Sequence, residues 1–490
     1  MWKTFEKKFI KYHDRIAITM GENRINYYEL YNLTMEVANL FIYKNYENRK
    51  IVIYCNDFFS TILGILAGIC TGYVIVPVSP SYGEKNLRYI LKKLNTFFVV
   101  TDNEELVRGI DLNNIIFIKE VCVSELEECK NKKLVKKDKQ NSTKDGNQFI
   151  IFTSGSTDCA KGVVISKKNV LSNMSKYSEY LPLQPGDVTL IWRPICHAAV
   201  LFREVLYSLL NGCNLVLYNN RYIPHKILKY IKQYNCTYLG ITPTLLNGLI
   251  RYLKNDELNS LKYITVSGER VRINDLKKIK SWYPTMKIFN VYGLTEATLQ
   301  LTYLDDELLI QRENSVGKAL KGYKIKIVNE NGEECSQGVS GEVVAKSESI
   351  MKGYYRNDDA THKKIINGWL YTGDTGYMDK DGYLYILGRN DTMIIRAGVN
   401  IFPEEVEKIV LNHSNIVKDI VVYGCDDINY GQKVCADIVP KDENIKLEDL
   451  KSLCKKILPI HMQPDCVDIV ERIERTDNGK ILRSKISHNK

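Results

Sequence analysis

At 490 residues the chain is too long for one ordinary hydrophobic core, so two or three domains are expected, and its 44% hydrophobic and 26% charged residues exclude extended disorder. The net charge of +10, from 68 Lys+Arg against 58 Asp+Glu, suits attraction of small anions as well as a merely lysine-rich surface. No segment interleaves basic residues with stacking aromatics, so nucleic acid is excluded as a partner.

The first residues, MWKTFEKKFIKYHD, are charged throughout and contain no signal-peptide core. The 13 cysteines include no C-x-x-C pair and no zinc spacing, which suits free buried thiols in a reducing cytoplasm. A strand is expected at Ile51–Tyr54. The uncharged stretch Phe58–Gly83 is long enough for a membrane span, but Thr71-Gly72 interrupts it. It reads better as a buried helix followed by a strand around Val74–Val78. Further strands are expected at Phe98–Thr101, Phe149–Phe152, Leu215–Tyr218 and Ile264–Val266, and helices at Lys226–Tyr234 and Asn274–Trp282. Residues 126–146 are polar and read as an exposed loop. The alternation predicts an α/β domain of parallel-rich sheets covered by helices over residues 1–388. Beyond the turn at 389–391 a small α+β module, 392–490, is expected. It would hold a helix at Pro403–Leu411, strands at Ile420–Tyr423 and Lys433–Val439, and a helix at Leu447–Ile457.

Six short segments carry chemistry. The strand ending at Phe152 runs into Thr153-Ser154-Gly155-Ser156-Thr157, followed by Lys161-Gly162. Small hydroxyl residues with exposed backbone N–H groups and one lysine suit a polyphosphate, although the Walker spacing is absent and a plain Ser/Thr turn is the alternative. Asn290-Val291-Tyr292-Gly293-Leu294-Thr295-Glu296 follows another apolar strand. It offers a ring to stack on a purine, an amide for hydrogen bonds and a carboxylate for Mg²⁺. Ser267-Gly268-Glu269-Arg270 ends a strand at the same predicted edge. Tyr371-Thr372-Gly373-Asp374 presents a carboxylate able to accept both ribose hydroxyls, and Gly388-Arg389-Asn390-Asp391 adds a guanidinium. Thr476-Asp477-Asn478-Gly479-Lys480 is a turn that presents a lysine. Each segment alone also reads as a turn or a capped helix.

Together and in this order they resemble the adenylate-forming superfamily of acyl-CoA synthetases, nonribosomal adenylation domains and luciferases, with most likeness to acyl- or aryl-CoA ligases. The resemblance runs from about Tyr28-Glu29-Leu30 to Ile481. It implies an enzyme that uses ATP and Mg²⁺ to form an acyl-adenylate, then transfers the acyl group to the thiol of CoA or a carrier-protein phosphopantetheine. It implies ATP-binding roles for Thr153, Ser154, Gly155, Ser156, Thr157, Lys161, Glu269, Arg270, Asn290, Tyr292, Asp374 and Arg389. Thr295 would touch the α-phosphate, Glu296 would hold the metal, and Lys480 would bridge the acid carboxylate and the α-phosphate. Asp391 would be the hinge of a mobile C-terminal lid. Asp158, Ala160 and Glu474 depart from the family, which usually has Gly, Pro and Pro there.

His197 resembles the histidine between the acid pocket and the thiol tunnel of CoA ligases, and Gly398 lies in a segment like their tunnel-side loop. Amino-acid-activating relatives place an Asp at the position of Ala199, so an ammonium would lack its partner and an apolar or aromatic acid is expected. Ser267-Gly268-Glu269 resembles the amino-acid branch, which keeps a carrier-loading adenylation enzyme open as an alternative. A nucleotide-binding protein that has lost the chemistry is a further one. In the helix expected over Val200–Asn211, the residues Arg203, Glu204, Tyr207 and Ser208 read as a solvated or interface face, with Arg203 as reader of a second substrate carboxylate the alternative.

Overall fold

The computed structural model of the chain describes residues 1–44, 49–96, 98–108, 114–118, 146–153, 160–253, 257–268, 273–427, 430–476 and 481–483. The loop expected at 126–146 lies outside these, except for Gly146.

Among the described residues the largest sheet has 14 strands, and its two halves are built differently. One half is parallel, in the spatial order Lys287–Tyr292, Tyr263–Ser267, Tyr238–Ile241, Val188–Ile191, Asn214–Leu217 and Ile16–Met20, with Asn23–Asn26 antiparallel at the edge. Helices Pro224–Gln233 and Ile273–Trp282 make crossovers, as the alternating pattern requires. From Thr302 onward the expectation of parallel pairing fails. Thr302–Leu304, Ser315–Ala319, Leu384–Arg389, Trp369–Met378, Gly341–Lys346 and Lys324–Val328 are antiparallel to their neighbours. Links such as that from Met378 to Leu384 are too short for a crossover helix, and only an antiparallel return fits them.

A second sheet of seven strands has Asn114–Phe117, Phe98–Thr101, Lys50–Ile53, Val74–Pro77 and Asn147–Thr153 in parallel. Lys161–Ser166 returns antiparallel to Asn147–Thr153, and Gly353–Tyr354 pairs with it, so a segment from far along the chain is stitched beside the expected phosphate loop. The uncharged stretch is the helix Phe58–Thr71 followed by the strand Val74–Pro77, both buried. Asp57 caps the helix by accepting from the Ser60 N–H at 2.7 Å. No helix among the described residues is long and apolar enough to cross a membrane. The main core lies between the two sheets, where Phe149 of one meets Phe202 beside the other with ring centroids 5.3 Å apart. The ten cysteines among the described residues are free thiols.

The small module has its own sheet of Val399–Ile401, Ile394–Arg396, Gly431–Pro440 and Val417–Asp427, with Cys466–Ile469 parallel to Gly431–Pro440. Helices Pro403–His413 and Leu447–Ile457 cover it over a separate core around Val406, Ile420, Val434 and Leu450. The passage from the large sheet to this one falls between Arg389 and Ile394, and Asp391 stands within it.

Candidate active site

The groups expected to meet a nucleotide form a continuous path across the cleft-facing strand ends. Thr153 ends its strand directly opposite Lys161 in register, and its hydroxyl donates to the Lys161 carbonyl at 3.4 Å. The Lys161 ammonium lies over the ring of Tyr354, 5.4 Å from the centroid. Tyr354 donates its hydroxyl to Glu296 Oε1 at 2.8 Å, and burial followed by the Glu296 charge raises its pKa far above the phenol range. Thr295 and Glu296 form the start of a single 3₁₀ turn that follows the strand Lys287–Tyr292.

At the other end, Asp374 is 6% exposed yet faces two donors, Tyr292 Oη at 2.5 Å and Arg389 Nη1 at 3.3 Å. The donors come together because Asp374 and Arg389 are register partners on adjacent strands while Tyr292 ends the parallel half. Burial raises the Asp374 pKa, with Arg389 and the Tyr292 hydroxyl pulling it back. A carboxylate has about four lone-pair sites, so both oxygens retain capacity for further donors. Arg389 also reaches Asp391 Oδ1 at 3.3 Å.

Three groups that the sequence did not single out join the two ends. Lys364 donates to the Thr372 carbonyl at 2.8 Å and lies within electrostatic reach of Glu296, Asp374 and Glu342. Burial lowers its pKa. Glu342 accepts from the Gly373 N–H at 2.9 Å, and Tyr354 closes the path to Glu296. Gly373 has φ +77, and a Cβ there would stand 3.2 Å from the Lys364 ammonium and 3.5 Å from Arg389 Nη2, so glycine permits both cations to close in. No local spacing marks Lys364 or Tyr354 in the sequence; Tyr354 arrives through sheet pairing and Lys364 at the end of the helix Asp358–Lys364.

Other expected residues are placed differently. Asn290 donates its amide to the Ser315 carbonyl at 2.9 Å, tying two strands together, and its geometry favours a structural task over contact with a base. Gly398 sits at the exposed turn between Ile394–Arg396 and Val399–Ile401 with nothing within 4 Å of a Cβ built there, so it is not brought to the cleft in this arrangement. Ser154, Gly155, Ser156, Thr157, Glu269, Arg270 and Lys480 lie outside the described residues, as does Asp158. The flanks of Lys480 are described. Arg475 donates to Thr244 Oγ1 of the large domain at 3.1 Å and grips Asp419 of the small module at 2.9 and 3.0 Å.

Half-buried His197 precedes and half-buried Ala199 begins the helix Ala199–Leu206, whose backbone is wound as a π-helix, a form frequent at functional sites. The expected solvated face is overturned: Arg203, Glu204 and Ser208 are 0% exposed and Tyr207 6%. The charges are accommodated because Glu204 pairs with Arg193 while Arg203 bonds Tyr238.

Residues 5–355 match the family model described as AMP-binding enzyme, and residues 405–480 the model described as AMP-binding enzyme C-terminal domain. The chain is 27% identical over 487 residues to a 2-succinylbenzoate–CoA ligase of Bacillus licheniformis, covering 96% of each protein. It shares its fold with the o-succinylbenzoate CoA synthetase of Bacillus subtilis in complex with its acyl-adenylate intermediate, at TM-score 0.86 and 24% identity over 99% of this chain and 98% of that one. The same synthetase in complex with ATP and a magnesium ion gives TM-score 0.85 at 24% identity over 98% of each chain. The two matched segments cover most of the large domain and most of the small module, and the chain belongs to the AMP-binding enzyme family.

Proposed function

We propose that this protein is an AMP-forming acid–thiol ligase: it couples a carboxylic acid to AMP at the expense of ATP, releasing pyrophosphate, and passes the acyl group to the thiol of CoA. The carrying observation is the order of groups along the cleft. Thr153 and Lys161 come first, then Glu296 with Tyr354, then Lys364, then Asp374 with Arg389 and Tyr292. That is the order of polyphosphate, bridging metal, α-phosphate and ribose in a nucleotide.

A carboxylate attacking a polyphosphate brings two anions together, so the reaction is mainly positioning and charge neutralisation. The acid is already ionised at neutral pH and no protein base is required. Lys161 and Lys364 make the potential along the phosphates more positive, and Asp374 orients the ribose while Arg389 fixes Asp374. The donor set fits Mg²⁺. The ion takes one or two carboxylates and completes its shell with water and phosphate oxygens, and Glu296 provides one carboxylate. No denser cluster of His, Cys, Asp or Glu able to hold a metal occurs among the described residues. When bound, the ion neutralises charge between adjacent phosphates.

Lys480 completes the adenylation site. The Arg475–Thr244 contact, which ties the residues before it in the chain to the large domain, supports that role. Thiol entry to the same carboxyl carbon requires the lysine to leave. Asp391 lies in the strandless link between the sheets and is the pivot of that rotation, which carries Gly398 towards His197.

The acid has an apolar or aromatic body, since no acidic partner for an ammonium stands at Ala199 and the relative named above acts on 2-succinylbenzoate. ATP–pyrophosphate exchange against a panel of acids tests the reading. Aryl or alkyl carboxylates support exchange and α-amino acids do not. Exchange with no acid removes the ligase assignment, and exchange with amino acids alone turns it towards carrier loading. Thioester formation with free CoA, and not with a phosphopantetheinylated carrier, completes the assignment.

A further inference from the structure

Lys364 ends the helix Asp358–Lys364, and the two residues after it pair back on Leu370 and Trp369. That return lays the lysine beside the strand Trp369–Met378, where its ammonium donates to the Thr372 carbonyl at 2.8 Å. An ammonium has three donors, and among the described residues the Thr372 carbonyl is the partner of one of them. No carboxylate among the described residues comes within ion-pair distance of it. Burial lowers its pKa, while the charges of Glu296, Asp374 and Glu342 act on it from further off. Two of those carboxylates have donors of their own, Glu342 the Gly373 N–H and Glu296 the Tyr354 hydroxyl. Lys364 is therefore an under-partnered cation in the wall of the cleft, between the carboxylate assigned to the metal and the one assigned to the ribose.

The other cations along the path are placed for different tasks. Lys161 lies over Tyr354 at the polyphosphate end, which empties when pyrophosphate leaves. Arg389 is engaged by Asp374 and Asp391. Lys480 belongs to the small module, which withdraws it before a thiol reaches the carboxyl carbon. Lys364 is held by a helix and a strand of the large domain, so it keeps its place when the small module turns.

The second half-reaction needs a stationary cation. The thiol sulfur bonds to the carboxyl carbon, and the bond from that carbon to the phosphate oxygen breaks with its electron pair staying on the oxygen. The thiol proton passes to solvent and AMP departs, its phosphate going from one negative charge to about two. An ammonium fixed beside that phosphate meets charge that appears only as the bond breaks.

We propose that Lys364 is a catalytic residue of the thioester half-reaction, binding the α-phosphate and holding AMP as it leaves. This role rests on the ligase reading and deepens it: the two half-reactions use different lysines, one carried by each domain.

The test uses Lys364→Met and Lys364→Arg in the full chain. The binding probes are AMP and adenosine, and the substrate is the purified adenylate of the best acid in the exchange panel. Wild type binds AMP more tightly than adenosine, and Lys364→Met narrows that gap by roughly 10-fold while affinity for adenosine is kept. Thioester formation from supplied adenylate falls by roughly 10²-fold in kcat. Pyrophosphate exchange falls by roughly 5-fold or less, since Lys480 shares the phosphate in that half. The split is the reverse of that expected on removing the Lys480 charge. Lys364→Arg restores part of the AMP preference and of the thioester rate, because the charge is kept. Equal loss in both halves, with adenosine binding lost alongside AMP, shows a structural residue and overturns the proposal. Loss confined to exchange, or loss in neither half, overturns it and leaves the ligase reading standing. Absence of wild-type exchange with every acid removes the ligase reading, and the proposal with it.

Discussion

Asp374 and Glu407 are both carboxylates that the fold has nearly removed from water, at 6% and 8% exposure, and each faces a guanidinium. Their partners differ in kind. Asp374 is held by Tyr292 and by Arg389, whose side chain is 45% exposed at the cleft, so the pair retains a face for a ligand. Glu407 sits inside the small module, where Arg483 reaches it at 2.9 Å and the Val422 N–H at 2.7 Å. Arg483 also donates to the Val422 carbonyl at 2.5 Å. With Arg475 gripping Asp419 on the other flank and the Leu482 N–H bonded to the Glu474 carbonyl at 2.9 Å, the segment bearing Lys480 is staked at both ends. The same ion-pair chemistry leaves a face open to a ligand in one region and holds a piece of the chain in the other. What separates the two is whether the arginine remains open to solvent.

The comparison breaks most visibly at Lys480. Lys480→Met cuts adenylate formation by roughly 10²–10⁴-fold, as for loss of one preorganised charge at a developing anion. Thioester formation from supplied acyl-adenylate survives better, and equal loss in both half-reactions would mean that the staked segment has only a structural task.

Asp391→Pro separates the two regions mechanically. Proline restricts φ and removes an N–H, so pyrophosphate exchange persists while thioester formation from the pre-made adenylate is lost. Parallel loss of both activities would show a damaged fold, and loss of neither would place the pivot elsewhere.

Asp374→Asn keeps the shape of the ligand-facing pair and removes its charge. KM for ATP rises by roughly 10–10²-fold, the worth of one or two charge-assisted hydrogen bonds, with KM for the acid little changed. An unchanged KM for ATP would take Asp374 out of the nucleotide site.

Arg475→Gln loosens one stake of the Lys480 segment. Adenylation slows by roughly 5-fold, equivalent to about 1 kcal/mol, and the thioester half-reaction is untouched. Half-reaction kinetics with supplied adenylate check the split, and slowing of both halves alike counts against a positioning role.

The last effect is read in stability. Burial pushes the Glu407 carboxyl from its ordinary 4.5 up to about 7, with Arg483 opposing. Because the folded-state value lies above the unfolded one, its contribution is fully present below about 4.5 and is lost as pH rises through about 7, roughly 3 kcal/mol at most. Thermal melts of the full chain from pH 4.5 to pH 8 therefore fall more steeply for wild type than for Glu407→Gln. Parallel curves would mean that Arg483 keeps Glu407 ionised throughout.

Much of the parallel architecture was legible because a buried parallel strand is an unbroken run of apolar β-branched residues and its crossover is a helix. Phe98–Thr101 and Leu447–Ile457 have the bounds expected of them. The antiparallel half after Thr302 was not, since strand direction there follows from turn length and pairing partner. In the site, Asp374 and Arg389 were visible as motif residues, whereas Tyr354 reaches it through strand pairing and Lys364 from the end of a short helix, neither of which a local spacing encodes. Arg203 was misread for the same reason: charged residues at i, i+4 spacing describe a wet helix face unless a second sheet covers it.

The sequence by itself determined the family-level chemistry, because a polyphosphate, a ribose and a metal each demand particular side chains at strand ends, and those can be read in order along the chain. Only the tertiary structure decided which charges are buried. Desolvation depends on what packs over a side chain, and the groups over Arg203 come from strands that end at Ile241 and Ser267, remote in the chain and adjacent in the sheet.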